Sequence, residues 1–72
     1  MTRDEFLVEM QDVLQTEDVL DFNSVLKDLE EWDSLSVMAT MAFLEKNFGV
    51  KTTMADYKAM KTIGDIAEKA GL

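Results

Sequence analysis

Three times along this chain, a threonine is followed three positions later by an acidic residue: Thr2 by Glu5, Thr53 by Asp56, and Thr62 by Asp65. At this spacing, the threonine hydroxyl and the carboxylate can each accept a hydrogen bond from a backbone N–H group near the start of an α-helix. The pattern therefore predicts that three helices begin immediately after these threonines. No segment shows the alternation of apolar and polar residues that is typical of a β-strand.

The apolar residues predict where these helices end. After the first threonine, apolar residues recur every three or four positions, which predicts a first helix from about Arg3 to Leu14. The helix that begins after the second threonine is short and extends to about Met60. The last helix carries one apolar face and is closed by Gly71, since glycine readily adopts the left-handed conformation that ends helices.

One more helix is predicted in the middle of the chain. Asp33 or Ser34 can cap its start, and it ends at Phe48 with Gly49 as the left-handed residue that follows. Residues 15–32 lack a clean period and form a long connection, in which we expect a one-turn helix around residues 24–26. The predicted fold is all-α: a small irregular four-helix bundle, with three main helices, one short helix and a long first loop, in which residues 1–72 form a single domain.

The composition excludes several classes of function. The chain contains no histidine and no cysteine, so it lacks an imidazole base, a thiolate nucleophile and the usual zinc ligands. Its net charge of −8 argues against nucleic acid, which requires a basic surface, and favours basic protein partners. No apolar run could span a bilayer, and the first residues do not form a signal peptide. We therefore expect a cytoplasmic protein, and its strong negative charge favours a monomer.

The charge is divided unevenly along the chain. Residues 1–33 contain eleven acidic and two basic residues, whereas residues 34–72 contain four acidic residues and five lysines. Ser34 lies where these two parts meet. Within the acidic part, a calcium-loop register that starts at Asp21 fails because Leu26 takes the position that requires glycine. No specific metal site is predicted, although weak cation binding remains open at the loop carboxylates Asp28, Glu30, Glu31 and Asp33.

The segment Leu29–Leu35, with the sequence Leu-Glu-Glu-Trp-Asp-Ser-Leu, resembles the attachment motif of acyl carrier proteins and related thiolation domains. The core of that motif is Asp-Ser-Leu at the start of the second helix. The resemblance covers nearly the whole chain, because length, acidity, helix order, the long first loop and the motif position all agree. Without this context, the Asp-Ser pair would indicate only a helix cap.

The resemblance implies that a phosphopantetheinyl transferase attaches 4′-phosphopantetheine from coenzyme A to Ser34. Asp33 would be recognised by that enzyme, and Leu35 would hold the start of the helix in the core. Free N–H groups and the helix dipole favour an anion at this position by about 0.3–1 kcal/mol, which can orient the arm but cannot drive its attachment. No catalytic residue is expected in this chain. The thiol of the arm would carry acyl or aminoacyl groups as thioesters for loading and processing enzymes.

The second helix departs from the pattern of fatty-acid carriers, which usually place several acids on its exposed face. Here Glu45 is the only acid of the helix. A small bundle cannot bury a helix that is apolar nearly all round, so we predict a partner-binding surface. The surface consists of Trp32, Ser36, Met38, Ala39, Ala42 and Phe43. The alternatives are that flanking loops cover these helix residues and that Trp32 anchors the loop to the core.

The sequence is compatible with three functions. The atypical second helix favours a carrier in a specialised biosynthetic pathway, with housekeeping type II fatty-acid synthesis as the alternative. A second alternative is an unmodified acidic adaptor that binds a basic protein through residues 17–33. An enzyme is not expected, because a hydrolase that uses Ser34 would have no histidine base, and Trp32 and Ser36 replace the glycines of a nucleophile elbow.

Overall fold

The computed structural model describes residues 1–72 and contains four α-helices and one 3₁₀ turn. The helices are α1 (Arg3–Leu14), α2 (Ser34–Phe48), α3 (Met54–Ala59) and α4 (Ile63–Lys69), and the 3₁₀ turn spans Leu26–Asp28. The predicted all-α fold and the order of its helices are confirmed. No helix in this structure combines the length and apolar character that crossing a membrane requires.

All three predicted capping boxes form. At the start of α1, Glu5 N donates to Thr2 Oγ1 over 3.1 Å, and Thr2 N donates to Glu5 Oε1 over 2.8 Å. The same pair of bonds links Thr53 with Asp56 and Thr62 with Asp65, at the starts of α3 and α4. Because backbone N–H groups donate to the charged carboxylates, the pKa values of these three acids lie below their ordinary values.

The predicted glycine helix ends are also confirmed, whereas α1 ends without glycine. Gly49, with φ of +67°, follows α2, and Gly71, with φ of +89°, lies just beyond α4. Gln15 takes the left-handed conformation after α1 with φ of +53°, and its N–H group donates to Asp12 O. Residues other than glycine rarely adopt the left-handed conformation, so the sequence does not mark Gln15 as a helix end. Only the loss of apolar spacing after Leu14 indicates it.

The prediction of a one-turn helix at residues 24–26 is wrong by two residues, because the turn lies at Leu26–Asp28. The shift occurs because the loop forms a bridge to the start of α4. Val25 is extended and pairs with Thr62 in an isolated antiparallel β-bridge. Ile63 N donates to Ser24 O over 3.0 Å, and Leu26 N donates to Lys61 O over 2.9 Å. These bonds keep the backbone extended through Val25, so the helical turn starts only at Leu26.

Gly64 allows the loop to lie directly against α4. Its N–H group donates to Phe22 O over 2.8 Å. A Cβ atom at this position would also lie 2.8 Å from Phe22 O, which is closer than a carbon and an oxygen can approach without a shift of the backbone. The close contact ties the long first loop to α4.

One hydrophobic core contains side chains from all four helices and from the loop. Helix α1 packs against α2, and Phe6 and Met10 of α1 are fully buried, as is Leu44 of α2. The rings of Phe6, Phe43 and Phe48 pack with centroids 5.9–6.1 Å apart. Each fully buried side chain of this size stabilises the fold by about 1.5–3 kcal/mol, so the α1–α2 contact holds α2 firmly.

Candidate functional site

Asp33 determines where α2 begins. Its carboxylate accepts a hydrogen bond from Ser36 N over 2.9 Å, and Asp33 N donates to Ser36 Oγ over 2.8 Å. The Ser36 hydroxyl donates in turn to Asp33 O over 2.9 Å. The two side chains therefore form a closed capping box, which leaves Ser34 as the first residue of the helix.

The Ser34 hydroxyl is exposed and makes no hydrogen bond within the chain. The backbone N–H groups of Ser34 and Leu35 also have no acceptor within the chain, since both belong to the first turn of α2. Two free N–H groups and the positive end of the helix dipole thus surround an accessible hydroxyl oxygen. This arrangement suits a negatively charged substituent on that oxygen.

The prediction that Leu35 holds the helix start in the core is wrong. Its side chain is 76% exposed. Val37, two positions later and 7% exposed, provides that anchor, since the capping box rotates the first turn so that Ser36 and Val37 face inward. Leu35 is therefore displayed beside Ser34 on the outer surface.

The outer face of α2 carries a continuous apolar stripe. Its members follow the helical pattern i, i+3, i+4, i+7, and all are exposed: Leu35, Met38, Ala39 and Ala42. Three residues of the predicted partner surface, Met38, Ala39 and Ala42, thus lie together in the open. The alternative in which loops cover them is wrong for these three.

Two other residues of the predicted surface are placed differently. Ser36 is buried, because its hydroxyl is held in the capping box. Phe43 is half-buried and packs between the rings of Phe6 and Phe48. Its assignment to an exposed surface is wrong, because the aromatic cluster between α1 and α2 draws the ring inward.

Trp32 anchors the loop, as the alternative interpretation had it. Its ring is half-buried, with its centroid 6.2 Å from that of Tyr57 in α3. Tyr57 is buried, and its hydroxyl lies 2.8 Å from Thr52 Oγ1. Burial raises the pKa of Tyr57 above its ordinary value. The residue two positions before Ser34 is therefore held by α3.

Thr40 is a structural residue that the sequence analysis missed. It is fully buried in α2, and its Oγ1 donates to Ser36 O over 2.8 Å. The sequence signal that could have identified it was its position between Val37 and Leu44 on the inward stripe.

The loop acids do not converge, because no three carboxylates in the chain come close enough to share a metal ion.

The comparisons with known proteins agree with this geometry. The sequence profile of the family described as "Phosphopantetheine attachment site" matches residues 4–69. The structure is similar to the solution NMR structure of the holo acyl carrier protein from Geobacter metallireducens, with a TM-score of 0.76 and 27% sequence identity. That similarity covers 97% of this chain and 82% of the other. Among curated protein sequences, none matches.

The helical fold and the exposed helix start define a carrier domain, which holds substrates for enzymes and is not itself catalytic. The profile match covers nearly the whole chain, and the chain belongs to the phosphopantetheine-binding family. It therefore carries covalent 4′-phosphopantetheine and interacts with a phosphopantetheinyl transferase and with biosynthetic enzymes. The free hydroxyl of Ser34, beside two unpaired N–H groups, fits the phosphate of that group. The unmodified adaptor is not supported.

Proposed function

We propose that Ser34 is the residue that bears the 4′-phosphopantetheine, and that the chain tethers acyl or aminoacyl intermediates for partner enzymes. Its support is one observation: an exposed serine hydroxyl with no internal partner at the first position of α2. On attachment, Ser34 Oγ gives its proton to a base of the transferase and bonds to the phosphorus that bears the pantetheine. The pyrophosphate P–O bond of coenzyme A breaks, and 3′,5′-adenosine diphosphate leaves. The thiol of the bound group then holds the intermediate as a thioester.

The flanking residues have separate roles in this proposal. Asp33 keeps the helix start ordered, since both of its capping bonds act on the turn that bears Ser34. Leu35 offers an exposed apolar contact to the transferase. A single loop and helix start thus provide the reacting oxygen, its orientation and a contact for the enzyme.

The attachment site can be tested by mass spectrometry after incubation with coenzyme A and a promiscuous phosphopantetheinyl transferase. The wild type should gain the mass of one phosphopantetheine, and Ser34→Ala should gain none. Ser24→Ala is the matched control, because it removes a serine hydroxyl outside α2 and should be modified fully. A mass gain in folded Ser34→Ala would refute the assignment.

The outer stripe of α2 (Leu35, Met38, Ala39 and Ala42) is our proposed partner surface. Met38 is 60% exposed, and Glu45 is the only acid on the helix. A surface of this kind offers apolar contact where fatty-acid carriers usually offer acids. The surface therefore supports a specialised biosynthetic pathway rather than housekeeping fatty-acid synthesis.

The choice between pathways can be tested with a malonyl-transferring enzyme of type II fatty-acid synthesis. We expect the modified wild type to be loaded at least about tenfold less efficiently than that enzyme's own carrier, a difference of about 1.4 kcal/mol. The double variant Ala39→Glu/Ala42→Glu should be loaded faster than the wild type, because it restores acids to the stripe. Equal loading of the wild type and the native carrier would favour the housekeeping function.

A further inference from the structure

Three of the six lysines of the chain, Lys27, Lys58 and Lys61, line one groove. Lys27 belongs to the 3₁₀ turn, Lys58 to α3, and Lys61 to the link between α3 and α4. None of them forms an ion pair, since the only ion pair in the chain joins Lys69 to Asp56. A local group of unpaired cations thus lies in a chain whose net charge is −8.

The acid nearest in sequence to Lys61 is already engaged elsewhere. Asp65 Oδ2 accepts hydrogen bonds from the backbone N–H groups of Lys61 and Thr62, over 2.7 and 3.1 Å. That carboxylate caps α4 and does not pair with the lysine ammonium group. The ammonium groups at the groove therefore remain available for an external anion.

The groove between the lysines is apolar and aromatic. It has a volume of about 450 Å³, and Trp32, Tyr57 and Met60 line it with Leu26. Its walls are fixed, because Leu26 N donates to Lys61 O and because the Trp32 and Tyr57 rings pack together. Apolar walls with cationic edges suit a ligand that has a short apolar body and a negatively charged end.

The position of the groove favours a tethered ligand over a free one. Trp32 lies two residues before Ser34, a span of at most about 7 Å of chain, which is much shorter than a phosphopantetheine arm. A free anion is repelled by the overall negative charge. A group tethered at Ser34 instead reaches an effective concentration on the order of millimolar, so even a weak site is populated.

We propose that this groove binds the carboxylate-bearing end of an acyl group carried at Ser34, and so favours dicarboxylic over neutral acyl groups. The lysines contact the carboxylate, and the aromatic wall contacts the apolar part of the acyl chain. The inference rests on the proposed attachment at Ser34, and it adds a substrate class to that function.

The test uses protein loaded at Ser34 with a succinyl group through a stable amide, and compares it with the uncharged succinamide counterpart. Trp32 is the only tryptophan, so its fluorescence reports on the groove directly. With millimolar effective concentration, the succinyl form should show acrylamide quenching of Trp32 lower by about a third to a half. The neutral form should be quenched like the unloaded holo-protein. The difference should disappear in about 1 M NaCl, where the Debye length falls to about 3 Å.

Matched charge variants identify the groove lysines. Lys58→Gln/Lys61→Gln should abolish the difference between the two loaded forms. Lys46→Gln/Lys51→Gln removes the same charge from exposed lysines outside the groove and should keep it. Thermal melting of each variant checks that the fold is retained.

The outcomes separate this inference from the proposed attachment. If no loaded form can be made at Ser34, the mass spectrum shows it and both proposals fall. If loading succeeds but succinyl and succinamide protect Trp32 equally, the groove proposal alone is refuted. It is also refuted if the Lys46 and Lys51 pair has the same effect as the groove pair.

Discussion

The two faces of α2 are built from similar residues and have opposite roles. Val37 and Leu44 face inward and are almost completely buried, whereas Leu35 and Met38 face outward and are mostly exposed. Both stripes are apolar and both follow helical spacing. The difference shows that apolar spacing identifies a helix without saying which apolar stripe forms the core, because that depends on which face α1 covers.

The largest effect should come from the inward face. Leu44→Ala removes a fully buried side chain and should lower the free energy of unfolding by about 2–5 kcal/mol. Met38→Ala, six residues earlier on the outward face, should change it by less than about 0.5 kcal/mol. Urea unfolding followed by circular dichroism measures both. Similar losses for the two variants would remove the distinction between the faces.

The next effect concerns the cap that orients both faces. Asp33→Ala removes the acceptor for Ser36 N and should lower the free energy of unfolding by about 0.5–2 kcal/mol. It should also slow modification of Ser34, because the first turn of α2 becomes less ordered. Asp33→Asn keeps a capping oxygen and is the control for stability. If Asp33→Asn slows modification as much as Asp33→Ala does, the transferase recognises the negative charge of Asp33 rather than the ordered first turn of α2.

Low pH should lower the free energy of unfolding by destabilising α4. Ile63 and Ile66 of α4 belong to the same core as Leu44 of the inward face. Backbone N–H groups of Lys61 and Thr62 lower the pKa of Asp65 in the folded state. Its contribution is therefore fully present above the ordinary pKa of 3.8 that holds in the unfolded state, and it is lost as the pH falls from there through the lower folded pKa. Stability should fall less over this range in Asp65→Asn than in the wild type.

The matched control for acid is Glu68→Gln, which removes a carboxyl from the same helix outside the capping box. Its loss of stability on acidification should follow that of the wild type. Chemical unfolding at a series of pH values measures all three proteins. If the free energy of unfolding of Asp65→Asn falls with decreasing pH as steeply as that of the wild type, the cap contributes nothing to the pH dependence.

The smallest effect on stability should come from Leu35. Leu35→Ala should change the free energy of unfolding by less than about 0.5 kcal/mol, because the side chain is already in solvent. The same variant should lower kcat/KM for modification by the transferase, since an exposed apolar contact is lost. Steady-state kinetics with coenzyme A measures this effect, with Val8→Ala, an exposed apolar side chain on α1 outside the stripe, as the control. A clear loss of stability in Leu35→Ala would restore the core role predicted for it.

The helix starts could be predicted because their signals are local. Thr2, Thr53 and Thr62 each bond an acid three residues away, so the interaction needs only one turn of chain. Ser34 could be singled out from the Asp-Ser-Leu motif, whereas the sequence left open whether Asp33 or Ser34 caps α2, and the bonds between Asp33 and Ser36 decide for Asp33. The 3₁₀ turn could not, because the bonds that shift it come from Lys61 and Ile63, more than thirty residues away.

The sequence by itself determined the helical fold, the positions of the three threonine-capped helix starts and the acidic character of the chain, because each depends on neighbouring residues or on composition. Only the tertiary structure decided that Leu35 faces solvent, that Phe43 turns inward and that Lys27 meets Lys58 and Lys61 at one groove. Those outcomes depend on packing between segments far apart in the chain, which periodicity along one segment cannot report.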